Sequence, residues 1–289
     1  MKLATISLGR GEEAAIVTSG GLAPIRRINE AAGAGWSTEM LGLLTGGEHE
    51  RLQAWCRGSG RELLNRLTEV PLAEAVYRPL YRRPRKIWGI GANYAAKAGA
   101  MQVIPPEAEP ICFMKPDTSL IGPGDSIVLP RGQGRITAEA ELGIVIGRAC
   151  KNVSEREARE VVAGFTPTLD MTAQDIHARN PRFLGRAKCF DTFFSFGPHL
   201  MTWDELNDPD ALQVQTVLNG KVVHRAEAGE MTYSPWLIVS YFSKMMTLLP
   251  GDVIMTGTPG SVELADGDTV ECRLGDFTAL VNPVRAERE

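Results

Sequence analysis

The stretch Thr137-Ala138-Glu139-Ala140-Glu141-Leu142-Gly143-Ile144-Val145-Ile146-Gly147 decides the reading of the fold. Side chains alternate along a strand, so Glu139 and Glu141, two residues apart, point to the same face. After them Leu142, Ile144, Val145 and Ile146 give a continuous apolar run, as expected of a central strand covered on both faces. Two carboxylates at the mouth of such a strand repel each other and lose hydration. They must meet cations or a metal, or one of them must hold a proton. An exposed strand face, or a set of arginine partners, is the competing reading of the same spacing.

Asp170, in Phe165–Thr172 (FTPTLDMT), lies in a second short extended run that follows a helix and can neighbour the first strand. Three oxygen ligands of charge −3 would suit a hard cation such as Mg2+ or Mn2+ and leave coordination positions open. The carboxylate and keto oxygens of a 2-oxo acid could fill two of them, with the cation acting as a Lewis acid. Lys188, in Gly185–Phe193 (GRAKCFDTF), can offset charge or contact a substrate oxygen, although taken alone it reads as a surface lysine. Thr256 and Thr258, in the small-residue turn MTGTPG, offer hydroxyl and N–H donors to an anion.

Further strands are expected at Lys86–Ile90, Ile111–Met114, Ser126–Leu129, Leu212–Leu218, Val253–Thr256, Thr269–Leu274 and Thr278–Val281. Three Gly-Asp turns, at Gly124-Asp125, Gly251-Asp252 and Gly267-Asp268, each feed an apolar strand, which reads as repeated turn chemistry rather than duplication. Ser154 with Glu157 forms a capping box, with Gly164 available to close that helix. Thr202 with Glu205 suggests a shorter helix, and Ser234-Pro235 opens one through Trp236, Ile238, Tyr241, Phe242 and Met245. Many strands and few helices, not strictly alternating, predict an α+β fold. Residues 1–81 read as a small N-terminal domain, with a hairpin over Leu3–Leu8 and Ala14–Thr18 and a partly helical Glu48–Leu67. Residues 82–289 read as the catalytic domain.

The chain has 289 residues, a formal net charge of −4 and a hydrophobic fraction of 44%. Without a basic excess, nucleic-acid binding is not expected. The five cysteines are widely spaced with no CxxC pair, which fits reduced thiols in a cytoplasmic protein. No segment approaches the ~20 apolar residues of a membrane span, and the N-terminus lacks the apolar core of a signal peptide. The histidines His49, His177, His199 and His224 show no metal spacing, and neither HExxH nor GxSxG occurs. Gly89-Ile90-Gly91 follows a strand, but Tyr94 holds the third glycine position, so dinucleotide binding is rejected. Cys189 reads as a packed cysteine. His177, Arg179 and Arg182 can line the site. A guanidinium at Arg182 would suit a second substrate carboxylate, and solvent-exposed loop positions are the competing reading.

Taken in order, KIWGIGANYAAKAG (Lys86–Gly99), FMKPDTSLIGPGDSIVLP (Phe113–Pro130), TAEAELGIVIG, LDMTAQDIHARNPRF (Leu169–Phe183), GRAKCFDTFFSFGP (Gly185–Pro198) and LLPGDVIMTGTPG (Leu248–Gly260) resemble the fumarylacetoacetate hydrolase family over about Lys86 to Val284. The resemblance implies a mixed β-sheet roll, a homodimer, and a Mg2+ or Mn2+ site whose ligands match Glu139, Glu141 and Asp170. Lys188 matches the family's active-site lysine and Thr258 its substrate-contacting threonine. Tyr94 is a further substrate-contacting candidate. The sequence departs from the family in one stretch. Hydrolytic members carry NYxxHxxE, whose His and Glu are thought to activate water. Here Lys97 and Ala100 take those places. Lys97 can act as a base only if burial lowers its pKa strongly.

The expected substrate is a small 2-oxo or enol carboxylate. The first expectation is a metal-dependent hydrolase of C–C bonds in acylpyruvate-like compounds, since most relatives are described that way. The second is a tautomerase, isomerase or decarboxylase of oxaloacetate-like acids, which the missing His and Glu favour. A metal-loaded protein that binds 2-oxo acids without turnover is the third, with the intact carboxylates, Lys188 and Thr258 arguing against it.

Overall fold

The computed structural model describes residues 1–9, 11–94, 109–206 and 208–288. In chain order the strands are β1 (Lys2–Leu8), β2 (Gly11–Thr18), β3 (Gly21–Pro24), β4 (Ile87–Gly91), β5 (Ile111–Lys115), β6 (Leu120–Ile121), β7 (Ile127–Leu129), β8 (Ile136–Ile146) and β9 (Val162–Ala173). They continue with β10 (Phe194–Phe196), β11 (His199–Met201), β12 (Gln213–Leu218), β13 (Lys221–Glu227), β14 (Val253–Met255), β15 (Ser261–Glu263), β16 (Thr269–Leu274) and β17 (Leu280–Ala286).

One sheet runs β3-β2-β1-β11-β9-β8-β14-β4-β5, with short strands β10, β6 and β15 beside it. A second, five-stranded sheet runs β13-β12-β16-β17-β7. Both are mixed: β14 lies parallel to β4 and β17 parallel to β7, while β8 and β9 are antiparallel. The architecture is therefore the expected mixture of helices and mixed sheets, and neither sheet closes into a barrel.

The centre is the β8–β9 pair, in which every residue is buried. The continuous apolar run after Glu141 is what a strand covered on both faces requires. On one side the small sheet lies against it. Thr216 of β12 takes the Ala140 N–H at 3.3 Å, and the Cys272 thiol of β16 faces the Glu141 carbonyl. The helices Glu155–Val161 and Pro235–Met245 join the same apolar cluster through Val161, Trp236 and Phe242.

Residues 1–81 add β1, β2 and β3 to the large sheet through β1–β11 pairing. Their core residues Leu3, Ile16 and Leu44 share an apolar cluster with Val145, Phe196 and Val253. That 1–81 forms a folding unit of its own remains a proposal.

Local chemistry explains most element ends. Ser154 caps its helix in a two-way box with Glu157, and Ser234 takes the Leu237 N–H ahead of Pro235. The three Gly-Asp turns are built alike. Asp125, Asp252 and Asp268 each accept a hydrogen bond from the backbone N–H three residues earlier. The preceding glycines sit at φ +79°, +83° and +88°, where a side chain is strained.

Two expected ends are corrected. Gly164 does not close its helix: Val162 is already extended and Gly164 lies inside β9. Thr202 caps nothing through its side chain. It precedes a 3-10 turn, Trp203–Glu205, and its hydroxyl donates to the Met1 carbonyl at 2.9 Å.

Candidate metal centre and active site

The β8–β9 register places Glu139 directly opposite Asp170. Glu141 follows two residues along the same face of β8. One carboxylate oxygen from each of Glu139, Glu141 and Asp170 lies within 4.8 Å of the others, and all three residues are buried.

Two lysines enter this cluster. Lys188, at the end of the short helix Leu184–Lys188, donates to Glu139 Oε2 at 2.9 Å and to Asp170 Oδ2. Burial by itself would lower its pKa. The Asp170, Glu139 and Glu141 carboxylates together outweigh that and raise it above the ordinary lysine value. Lys115, at the end of β5, stands 2.7 Å from Asp170 Oδ1. Its pKa is lowered, by burial first, against the pull of Asp170. Sequence reasoning left Lys115 without a role. FMKPDTS gives no sign that a lysine next to proline would be fully enclosed.

The MTGTPG turn uses its donors inside the protein. The Gly257 N–H donates to Glu141 Oε2 at 2.6 Å, and the Thr256 hydroxyl to the Leu142 carbonyl at 2.9 Å. Glu141 is thus one anion that this turn serves. A Cβ on Gly257 would stand 2.7 Å from that of Asn93, and the Asn93 side chain ties Thr256 O to the backbone of Tyr233. Thr258 is buried, its hydroxyl donating to the Gly260 carbonyl at 2.9 Å. The Tyr94 phenol is buried and without a hydrogen-bond partner among the described residues. Burial first, then Glu141, push its pKa up.

A cleft of about 740 Å3 opens onto this cluster. Glu139 and Lys188 line it together with Thr172, Gln174, His177, His224, Pro259, Gly260 and Ser261, and with apolar Ile111, Phe113, Pro181 and Leu184. His224 arrives from the small sheet, its Nε2 3.1 Å from the Ser261 carbonyl. Arg182 is exposed on the turn Pro181–Phe183 and is not part of this lining. Phe183 is exposed, whereas Phe194 and Phe196 are buried and stack on each other. Cys189 is half-buried, its thiol pointing to the Met114 carbonyl. Lys97 and Ala100 lie outside the described residues.

The donor set suits a divalent cation. Three carboxylates against two ammonium groups leave a net negative charge in a buried site. Oxygen-only ligands select hard cations.

Residues 86–285 match the family described as fumarylacetoacetate (FAA) hydrolase, C-terminal. The chain belongs to this fumarylacetoacetate hydrolase family. Within it, the mitochondrial oxaloacetate tautomerase of Rattus norvegicus is 33% identical over 232 residues, 78% of this chain and 74% of that one. A 5-carboxymethyl-2-hydroxymuconate delta-isomerase from Mycobacterium smegmatis superposes with a TM-score of 0.77 at 30% identity over the whole of both chains. Maleylpyruvate hydrolase from Sphingobium sp. SYK-6, solved with manganese(II) and pyruvate, superposes with a TM-score of 0.80 at 27% identity, again over both whole chains. This family member is therefore similar to a tautomerase, an isomerase and a hydrolase. Among the described residues no helix is long and apolar enough to cross a membrane.

Proposed function

We propose that this family member is a divalent-metal-dependent enzyme that interconverts the keto and enol forms of a 2-oxo carboxylate. The observation that carries the reading is the buried Glu139–Glu141–Asp170 cluster with Lys188 held in it at the base of the cleft. Glu139, Glu141 and Asp170 would hold Mg2+ or Mn2+. When bound, that cation supplies Lewis acidity to the substrate's carboxylate and 2-oxo oxygens. In the step itself the proton leaves C3, and a proton is added at the 2-oxo oxygen. No water is consumed and no C–C bond breaks. Lys188, positioned by its contacts with Glu139 and Asp170, donates a hydrogen bond to the oxygen on which charge develops. Thr258 shapes the turn against which that end of the substrate rests. Lys97, in its neutral amine form, is the proposed acceptor of the C3 proton, and the ammonium so formed is the source of the proton added at the 2-oxo oxygen.

Lys97 and Ala100 stand where hydrolytic relatives carry His and Glu, which favours enol chemistry over water activation. The likeness to an oxaloacetate tautomerase supports the same choice. A second reading, C–C hydrolysis of an acylpyruvate, draws support from the likeness to maleylpyruvate hydrolase over the full chain. Both readings include a homodimer in the cytoplasm, a setting supported by five free cysteines.

Turnover of acetylpyruvate, fumarylpyruvate and oxaloacetate with Mg2+, with Mn2+ and with chelator separates them. Chelator-sensitive enol–keto exchange without cleavage is expected. Release of pyruvate plus an acid establishes the hydrolase instead. Metal binding with no turnover of any substrate supports a binding protein.

A further inference from the structure

Lys188 stands at the inner end of an apolar strip. Its ammonium lies over the Phe113 ring, 4.4 Å from the centroid. Ile111 is two residues away on β5, so it shares the face of Phe113, about 6.6 Å further out. The ladder partners on that face are both glycines: Phe113 pairs with Gly89 and Ile111 with Gly91. A Cβ on Gly89 would stand 2.3 Å from Phe113 Cζ, and one on Gly91 3.3 Å from Ile111 Cγ2. Both side chains therefore lie across bare backbone and form a floor. Leu184 precedes Lys188 by four residues in one helix, so the two share a helix face, and Leu184 lines the same cleft as Phe113 and Ile111. Apolar groups from strand and helix thus adjoin the same ammonium.

The cleft these residues bound, about 740 Å3, is of the size that encloses a drug-sized ligand, far more than a four-carbon oxo acid fills. Among its described lining residues Lys188 alone carries a fixed positive charge, and the guanidinium of Arg182 is out on the surface. A second carboxylate laid along this strip would be desolvated with no fixed cation among the described lining residues to meet it.

We infer that the substrate is a 2-oxo carboxylate carrying an alkyl or aryl tail, seated along Phe113, Ile111, Leu184 and Pro181, in preference to a short dicarboxylate. The inference rests on the 2-oxo carboxylate reading of the site given above.

The test is calorimetric titration of the full-length, Mn2+-loaded protein with pyruvate, 2-oxobutanoate, 2-oxohexanoate, 2-oxo-octanoate and oxaloacetate. Affinity is expected to rise about fourfold per added methylene until the strip is filled, with 2-oxohexanoate bound more tightly than oxaloacetate. In Ile111→Ser and Leu184→Ser the ratio of 2-oxo-octanoate to pyruvate affinity is expected to fall roughly tenfold. If either variant does not fold, the wild-type series decides alone. Binding of 2-oxo acids that is flat with chain length, or tightest for oxaloacetate, overturns the apolar tail and leaves the 2-oxo carboxylate reading standing. Absence of binding by every 2-oxo acid overturns both.

Discussion

Lys115 holds its ammonium 2.7 Å from Asp170 Oδ1 and donates at the same time to the carbonyls of Met171, Lys188 and Phe193. One side chain thus fixes the buried aspartate and pins the segment that carries Lys188. Breaking a buried ion pair by removing one partner strands the other charge, at a cost of about 3–5 kcal/mol. Lys115→Met is therefore expected to lose at least about 3 kcal/mol of stability by urea unfolding. A loss under about 1 kcal/mol, the level of an exposed pair, would contradict this role.

Lys188 has a different part, and its variant should separate chemistry from metal binding. In Lys188→Gln a hydrogen-bond donor to developing charge is weakened, and turnover is expected to fall by about 100-fold or more. The same change removes a cation that neighbours Glu139 and Asp170, so Mn2+ affinity should be unchanged or higher. Parallel rate and calorimetric measurements check both. A variant that loses Mn2+ binding while keeping its rate per bound metal would reverse the assignment.

His199 should give the fold a characteristic acid sensitivity. It is buried on β11 against Tyr77, with no hydrogen-bond partner on either ring nitrogen among the described residues. Burial, with a smaller push from Lys2, brings its pKa from 6.5 down to about 3. The unfolded chain therefore takes up this proton first as pH falls. The stability that depends on neutral His199 is whole above pH 6.5 and drains away towards pH 3. His199→Phe should flatten the loss of melting temperature between pH 6.5 and 4 relative to wild type. Identical slopes would show that His199 is not the group responsible.

Much of the site was legible because strand alternation and strand burial are local patterns. Glu139 and Glu141 face one way in any strand, and the apolar run beyond them requires cover on both sides. That Asp170 is their partner follows from the register of β8 on β9; spacing alone left it open, and the family resemblance supplied it. Turn chemistry was equally local: the three Gly-Asp turns and the Ser154 and Ser234 caps repeat what the residues dictate alone. Gly164 was misread because a glycine after a helix can end it or continue as strand, and only the return of β9 along β8 decides. Lys115, Phe113 and His224 carried no signal. Each owes its place to long-range pairing: β5 on β4, the segment Lys188–Phe193 over Lys115, and the small sheet against the large one.

The central claim is that Glu139, Glu141 and Asp170 hold a divalent cation that in turn holds a 2-oxo acid. The most direct measurement is Mn2+ titration of the full-length protein, followed by calorimetry or electron paramagnetic resonance, with and without pyruvate. The account predicts one Mn2+ per chain, tighter binding when pyruvate is present, and loss of both effects in Asp170→Asn and Glu141→Gln variants that remain folded. Mn2+ binding that persists undiminished in those folded variants, or that ignores pyruvate, would contradict it.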